Sequence, residues 1–212
     1  MSVTERTILL AGATSASGIA LTEALVARGA RVIATGRSPE RLTPVSDAGA
    51  QALVADAASF EDMTALAEHL GAVDGVIPLV GGWRGGGGLA GQSDDDLDAL
   101  LPAFKAVRAT SRAFDTALRA SGAGRFAIVS STAVARPLAG GANYASVKAA
   151  SEAWARAVAQ GYAKAARDAG EPLEAASVVF RAKGLDVAAL VPAVLSLWET
   201  DAAELNDRVI DL

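Results

Sequence analysis

What most constrains this chain is the alternation of short apolar runs with longer segments of helical period, sustained from one end to the other. Thr7–Ala11, Ala30–Thr35, Gln51–Ala55, Val73–Val80, Phe126–Ser130, Ala176–Phe180 and Arg208–Leu212 read as strands. Between them lie helical stretches at Ile19–Arg28, Pro39–Ala48, a Ser59-capped segment ending at Leu70, Ser93–Ser121, Asn143–Ala169 and Asp186–Trp198. Parallel strands need a crossover of a dozen or more residues, usually a helix, whereas antiparallel strands can be joined by a hairpin. The alternation therefore predicts an α/β fold with a doubly wound, mainly parallel sheet of about seven strands and helices on both faces. No repeat and no separating linker interrupts it, so residues 1–212 are expected to form one domain. In such a sheet ligands bind at the carboxyl ends of the strands.

Those ends carry the distinctive residues. Thr7–Ala11 runs into Gly12-Ala13-Thr14-Ser15-Ala16-Ser17-Gly18 and then a helix stopped by Gly29. A glycine turn between strand and helix presents backbone N–H groups and a helix N-terminus to a pyrophosphate. Plain strand–helix packing would use the same glycines. The second strand ends in Thr35-Gly36-Arg37-Ser38, with no acid to accept a hydrogen bond from a ribose 2′-hydroxyl. Arg37 with Ser38 offers a phosphate fork instead, which favours NADP(H) over NAD(H); the alternative is an exposed arginine. Asp56 is the polar terminus of the third strand. Gly81–Gln92, with Trp83 and Arg84 set among glycines, reads either as a mobile flap over a pocket or as a disordered crossover.

The run SSTAVARPLAGGANYASVK, from Ser130 to Lys148, holds the chemistry. Tyr144 and Lys148 stand four residues apart, one turn along the same helix face. Ser131 lies 13 positions before Tyr144, at the end of a buried strand. A free phenol titrates near 10, so a phenol that carries protons at neutrality needs help. An ammonium about 5 Å away, at an effective dielectric near 20, supplies on the order of 3 kcal/mol. A serine can hydrogen-bond the carbonyl oxygen that the phenol protonates. This set suits proton transfer to or from a carbonyl or alcohol oxygen, with any hydride supplied by a cofactor.

The bulk numbers exclude several classes. A net charge of −5, with no basic stripe, argues against nucleic-acid binding. The absence of cysteine removes disulfides and thiolate chemistry, and the single histidine, His69, falls on an expected surface helix. Ser93-Asp94-Asp95-Asp96 resembles a metal-binding run but reads more simply as an N-cap followed by acids that complement the helix dipole, so no metal site is expected. MSVTERT has no signal-peptide apolar region and no apolar stretch approaches 18 residues, which points to a cytoplasmic protein without membrane contact.

With those residues in place, the chain resembles the short-chain dehydrogenase/reductase family over nearly its whole length. The resemblance implies a Rossmann-type fold and a carbonyl–alcohol oxidoreductase. It implies Tyr144 as general acid/base, Ser131 holding the substrate oxygen, and Lys148 contacting the nicotinamide ribose and assisting Tyr144. Gly12, Thr14, Ser15, Ser17 and Gly18 would line the pyrophosphate turn, Arg37 and Ser38 the 2′-phosphate, Asp56 and Ala57 the adenine, and Val80 and Gly81 the next strand end. The two long helices resemble the pair through which the family forms homodimers or homotetramers. Four departures accompany this. Ala16 stands in place of the middle turn glycine, and Pro78-Leu79-Val80-Gly81 replaces an Asn-Asn-Ala-Gly motif. No asparagine occurs near Ala103 or Phe104, and only Arg181–Leu185 stands where a long substrate-covering segment is usual. These departures keep alternatives open: a cofactor-binding partner without turnover, or an isomerase or epimerase on the same scaffold.

Overall fold

In the computed structural model, which describes residues 2–212, the apolar runs form one seven-stranded sheet. Strands β1 (Thr7–Ala11), β2 (Arg31–Gly36), β3 (Gln51–Val54), β4 (Gly75–Pro78), β5 (Arg125–Ser131), β6 (Ala176–Ala182) and β7 (Arg208–Asp211) take the order 3-2-1-4-5-6-7. Every neighbouring pair is parallel, so the expectation of a mainly parallel sheet becomes a wholly parallel one. The order reverses between β1 and β4, which opens the crevice where open α/β sheets bind ligands.

Period-two alternation distributes the strand side chains over two cores. Ile8, Leu10, Val178 and Phe180 face Leu21 and Leu25 of α1 (Ala16–Ala27) and Leu190 and Val194 of α7 (Val187–Ser196), with α2 (Pro39–Asp47) beside them. Leu9, Ile33, Phe126 and Ile128 face α3 (Phe60–Leu70), α4 (Asp94–Ala113) and α6 (Ala142–Ala169) on the other side.

Several boundaries differ from expectation. The stretch Ser93–Ser121 is two helices, because α4 ends at Ala113 and α5 (Asp115–Ala120) follows. Pro102 lies inside α4 without ending it; the break falls at Phe114, whose fully buried ring pulls the chain inward. Strand β4 is shorter than Val73–Val80, and the Asp74 carboxylate just before it accepts from Thr7 N and Arg6. Strand β6 runs past Phe180 to Ala182 and takes Arg181 into the sheet. A short helix, α8 (Ala202–Leu205), precedes β7.

Arg125, at the start of β5, is 1% exposed and meets no carboxylate. Its guanidinium donates to the carbonyls of Leu197, Gly124, Glu174 and Thr200 at 2.7–3.1 Å, tying the chain after α7 to the sheet. Burial lowers its pKa to about 10, with Arg6 acting in the same direction. Trp198 packs beside it against Gly75, where a Cβ would come within 2.6 Å of the indole.

Candidate active site

The carboxyl ends of β1, β2 and β4 border a groove of two adjoining clefts that share Ser15, Leu79, Val80 and Gly81. The outer cleft, about 310 Å³, is lined by Gly12, Thr14, Ser15, Arg37, Ser38, Asp56, Ala57, Val80 and Gly81. The inner cleft, about 300 Å³, is lined by Ser15, Ser17, Val80, Gly81, Ser130, Tyr144, Lys148 and the connector Lys183–Leu185.

The turn after β1 is built for a close approach. Gly12 has φ +79°, and a Cβ there would lie 2.5 Å from the Val80 side chain. Ser15 caps α1 by accepting from Gly18 N at 3.3 Å, so α1 starts three residues earlier than the apolar pattern suggested. Gly18 lines neither cleft; it is buried against the Ala13 carbonyl, where a side chain has no room. The free N–H groups at the start of α1 and the small Ser17 leave a wall suited to a diphosphate.

In the outer cleft Arg37 is exposed and makes no ion pair among the described residues. Ser38 is occupied differently from the expected fork. It caps α2, and its hydroxyl donates to Glu40 at 2.6 Å, a bond that holds the Glu40 carboxyl below its ordinary range. A second cation, Arg41, lines the same cleft one helical turn into α2. Its spacing of four from Arg37 was visible in the sequence. Asp56 accepts from Ala58 N at 2.9 Å, and its own N–H donates to Asp62, which fixes the turn after β3.

In the inner cleft Tyr144 packs against the buried cluster of Leu100 and Ala103 of α4 with Val147 of α6. Lys148 Nζ lies 5.8 Å from the centre of that ring and donates to the Val129 carbonyl at 2.7 Å. Burial pushes the ammonium down to about 8, opposed by the charge of Glu152. No hydrogen bond joins Ser131, Tyr144 and Lys148 to one another. Ser131, 5% exposed, ends β5 and accepts from Ala133 N at 3.2 Å; it does not line the cleft, whereas Ser130 does. Ser130 Oγ donates to the carboxylate of Glu152 at 2.6 Å.

The mouth of the inner cleft is bordered by three loops. The Gly81–Gln92 segment is hydrogen-bonded to the turn before α6: Gly86 N donates to the Gly140 carbonyl at 2.7 Å. Gln92 Nε2 reaches the carbonyls of Gly86, Gly88 and Gly140, and its Oε1 accepts from Asn143 N. The third border is the four-residue connector 183–186 between β6 and α7. Large apolar side chains stand exposed on all three: Trp83, Leu89, Leu138 and Leu185.

A wholly parallel sheet with its crevice at the β1/β4 reversal and a glycine turn there defines a doubly wound, Rossmann-type α/β fold, with Tyr144 and Lys148 on the wall of the next cleft. Residues 6–166 match the model of the short chain dehydrogenase family, and the chain belongs to that family. Among solved structures, a protein of Escherichia coli CFT073 described as a short chain dehydrogenase superposes with a TM-score of 0.86 at 22% identity, over 99% of this chain and 96% of that one. A short chain dehydrogenase of Salmonella enterica serovar Typhi CT18 gives 0.84 at 20% identity, over 99% and 96%. A Shigella flexneri 2a protein described in the same way, in complex with NADP, gives 0.83 at 20% identity, over 98% and 97%. At these identities the likeness is one of fold. Among the described residues, no helix is long and apolar enough to cross a membrane.

Proposed function

We propose that this chain is an NADP(H)-dependent oxidoreductase interconverting a carbonyl and an alcohol, with Tyr144 as general acid/base. The observation that carries the reading is the continuous groove that has Arg37 and Arg41 at one end and Tyr144 with Lys148 at the other. The groove fits a dinucleotide: Gly12 permits close approach, the start of α1 accepts the diphosphate with Thr14, Ser15 and Ser17, and Asp56 and Ala57 border the adenine end. The two arginines favour a 2′-phosphate. When bound, the nicotinamide supplies or takes up the hydride, which no side chain can carry.

The serines divide by hydrogen-bond inventory. Ser130 has its only proton committed to Glu152, so it faces the cleft as an acceptor. Ser131 does not itself line the inner cleft, but it accepts from Ala133 N and keeps its proton, so of the two serines it is the one with a proton left to give a substrate oxygen that reaches the end of β5. The apolar rim of Trp83, Leu89, Leu138 and Leu185, around a cleft with a short cover, suits a carbonyl compound with a sizeable apolar portion. The protein is read as a single cytoplasmic domain. Ala149, Ala153 and Ala157 recur along the exposed face of α6, which allows close approach of a second copy.

The test follows NADPH absorbance across a panel of carbonyl compounds, from small and polar to long-chain and aromatic. Turnover should favour the apolar end. Tyr144→Phe should lose about 10²–10⁴-fold in kcat while keeping NADPH affinity. Ser131→Ala should lose about 10²-fold or more, and Ser130→Ala clearly less. Arg37→Ala should weaken NADPH by on the order of 1.5–3 kcal/mol and spare NADH. NADPH binding without turnover on any carbonyl would favour the non-catalytic partner reading instead. An equal loss for both cofactors would remove the NADP assignment.

A further inference from the structure

Tyr144 and Lys148 continue into a third member of the same face, Glu152, one turn further along α6. A carboxylate at that spacing ordinarily lies in solvent, but Glu152 is 3% exposed. It is held from two strands: Ser130 Oγ of β5 donates to Oε1 at 2.6 Å, and Arg181 of β6 donates through Nε to Oε1 at 2.8 Å and through Nη2 to Oε2 at 2.6 Å. Burial raises its pKa, but the bonds from Arg181 and Ser130, with the charges of Arg181 and Arg156, outweigh that and hold the carboxyl below its ordinary range. One turn earlier on α6, Lys148 makes no ion pair with Glu152 and donates to the Val129 carbonyl, carrying its charge in a place where burial opposes it.

We propose that Glu152 is a positioning residue that keeps Lys148 in its ammonium form beneath the inner cleft, with Arg181 and Ser130 keeping Glu152 itself ionised. The other charged groups around this cluster do not do so. Arg156 on α6 and Lys183 at the cleft rim are cations, and Asp211 on β7 acts on Arg181. The carboxylate whose charge reaches Lys148 is that of Glu152. The arrangement also fixes the polarity of Ser130, whose proton points away from the cleft toward Glu152. The inference rests on the reading that Lys148 works as a cation in a nicotinamide site, and its test is independent of turnover.

The chain has four lysines, so ¹³Cε-labelled protein gives few signals, and the one lost in Lys148→Met is that of Lys148. Its titration midpoint, followed by NMR against pH, should fall about tenfold in proton affinity or more in Glu152→Gln and stay near the parent value in Glu152→Asp. Where Glu152→Gln does not fold, Glu152→Gln with Arg181→Gln replaces the ion pair by an amide pair and should lower the midpoint as well. An unchanged midpoint in either folded protein overturns the proposal. In the active enzyme the alkaline limb of kcat should move to lower pH in Glu152→Gln and be restored in Glu152→Asp; a limb that stays in place while the NMR midpoint moves overturns the role in the reaction. Absence of turnover in the parent protein counts against the oxidoreductase reading and leaves the titration result intact.

Discussion

Lys148 is held in a position that favours its own deprotonation. Burial takes its ammonium from an ordinary 10.5 to about 8, although Glu152 pulls the other way. For stability the sign follows from linkage. Below pH 8 the lysine is charged in both folded and unfolded chains, and the folded state bears the full penalty. Between about 8 and 10.5 the folded protein releases its proton first, so the penalty fades as pH rises. Lys148→Met should therefore raise stability at pH 7 by about 2 kcal/mol, allowing for the cleft's opening to water, or roughly 4–8 °C in Tm. The gain should shrink toward zero by pH 10.5, and turnover should be lost; thermal melts across that range check it, and a gain independent of pH would reject the account. Tyr144 and Lys148 stood out in the sequence by their four-residue spacing taken together with Ser131 and the glycine turn at Gly12. Glu152 repeats the same interval but did not, because a helix-face carboxylate reads as solvated. Its burial depends on Arg181, which arrives from a strand whose apolar run stops at Phe180.

The elements that frame the cleft show what local pattern carries and what it does not. Strands β1, β3 and β5 fall within about one residue of their apolar runs. Ser59 and Ser93 cap their helices as the sequence implies, each accepting from a backbone N–H of the first turn, and Asp186, read as the first residue of its helix, is that helix's cap. What escaped is tertiary. Phe114 splits the Ser93–Ser121 stretch because its ring is needed in the core, a demand that helical period cannot reveal. The Gly81–Gln92 loop reads as slack by composition, yet one amide side chain fastens it at several points. Gln92→Ala should remove that clamp. Hydrogen exchange should then accelerate in residues 82–91 and 138–143 while the sheet amides keep their protection. Unchanged exchange in the loop would show that glycine backbone contacts alone hold it.

For the whole molecule, the alternation of runs was enough to define the sheet, since it leaves few topologies that bury both faces. The burial of Arg125 was not legible: an arginine just before an apolar run looks like a strand flank, and only the four carbonyls it gathers make it interior. Assembly beyond one chain is expected through α4 and α6, which lie side by side over the sheet, with Ala149, Ala153 and Ala157 exposed on α6. A dimer or tetramer through that face should sediment as such at micromolar concentration, and Ala153→Arg should shift it toward monomer without altering the melting of the isolated chain; a monomeric parent protein defeats the prediction. The strand order carries a further meaning for synthesis. Because β1 is central and each later strand adds outside its predecessors, nothing has to be inserted between partners already zipped together. The sheet can thus be laid down outward in the order of synthesis, and the guanidinium of Arg125 gains its bonds to Leu197 and Thr200 only once the chain beyond α7 has been made.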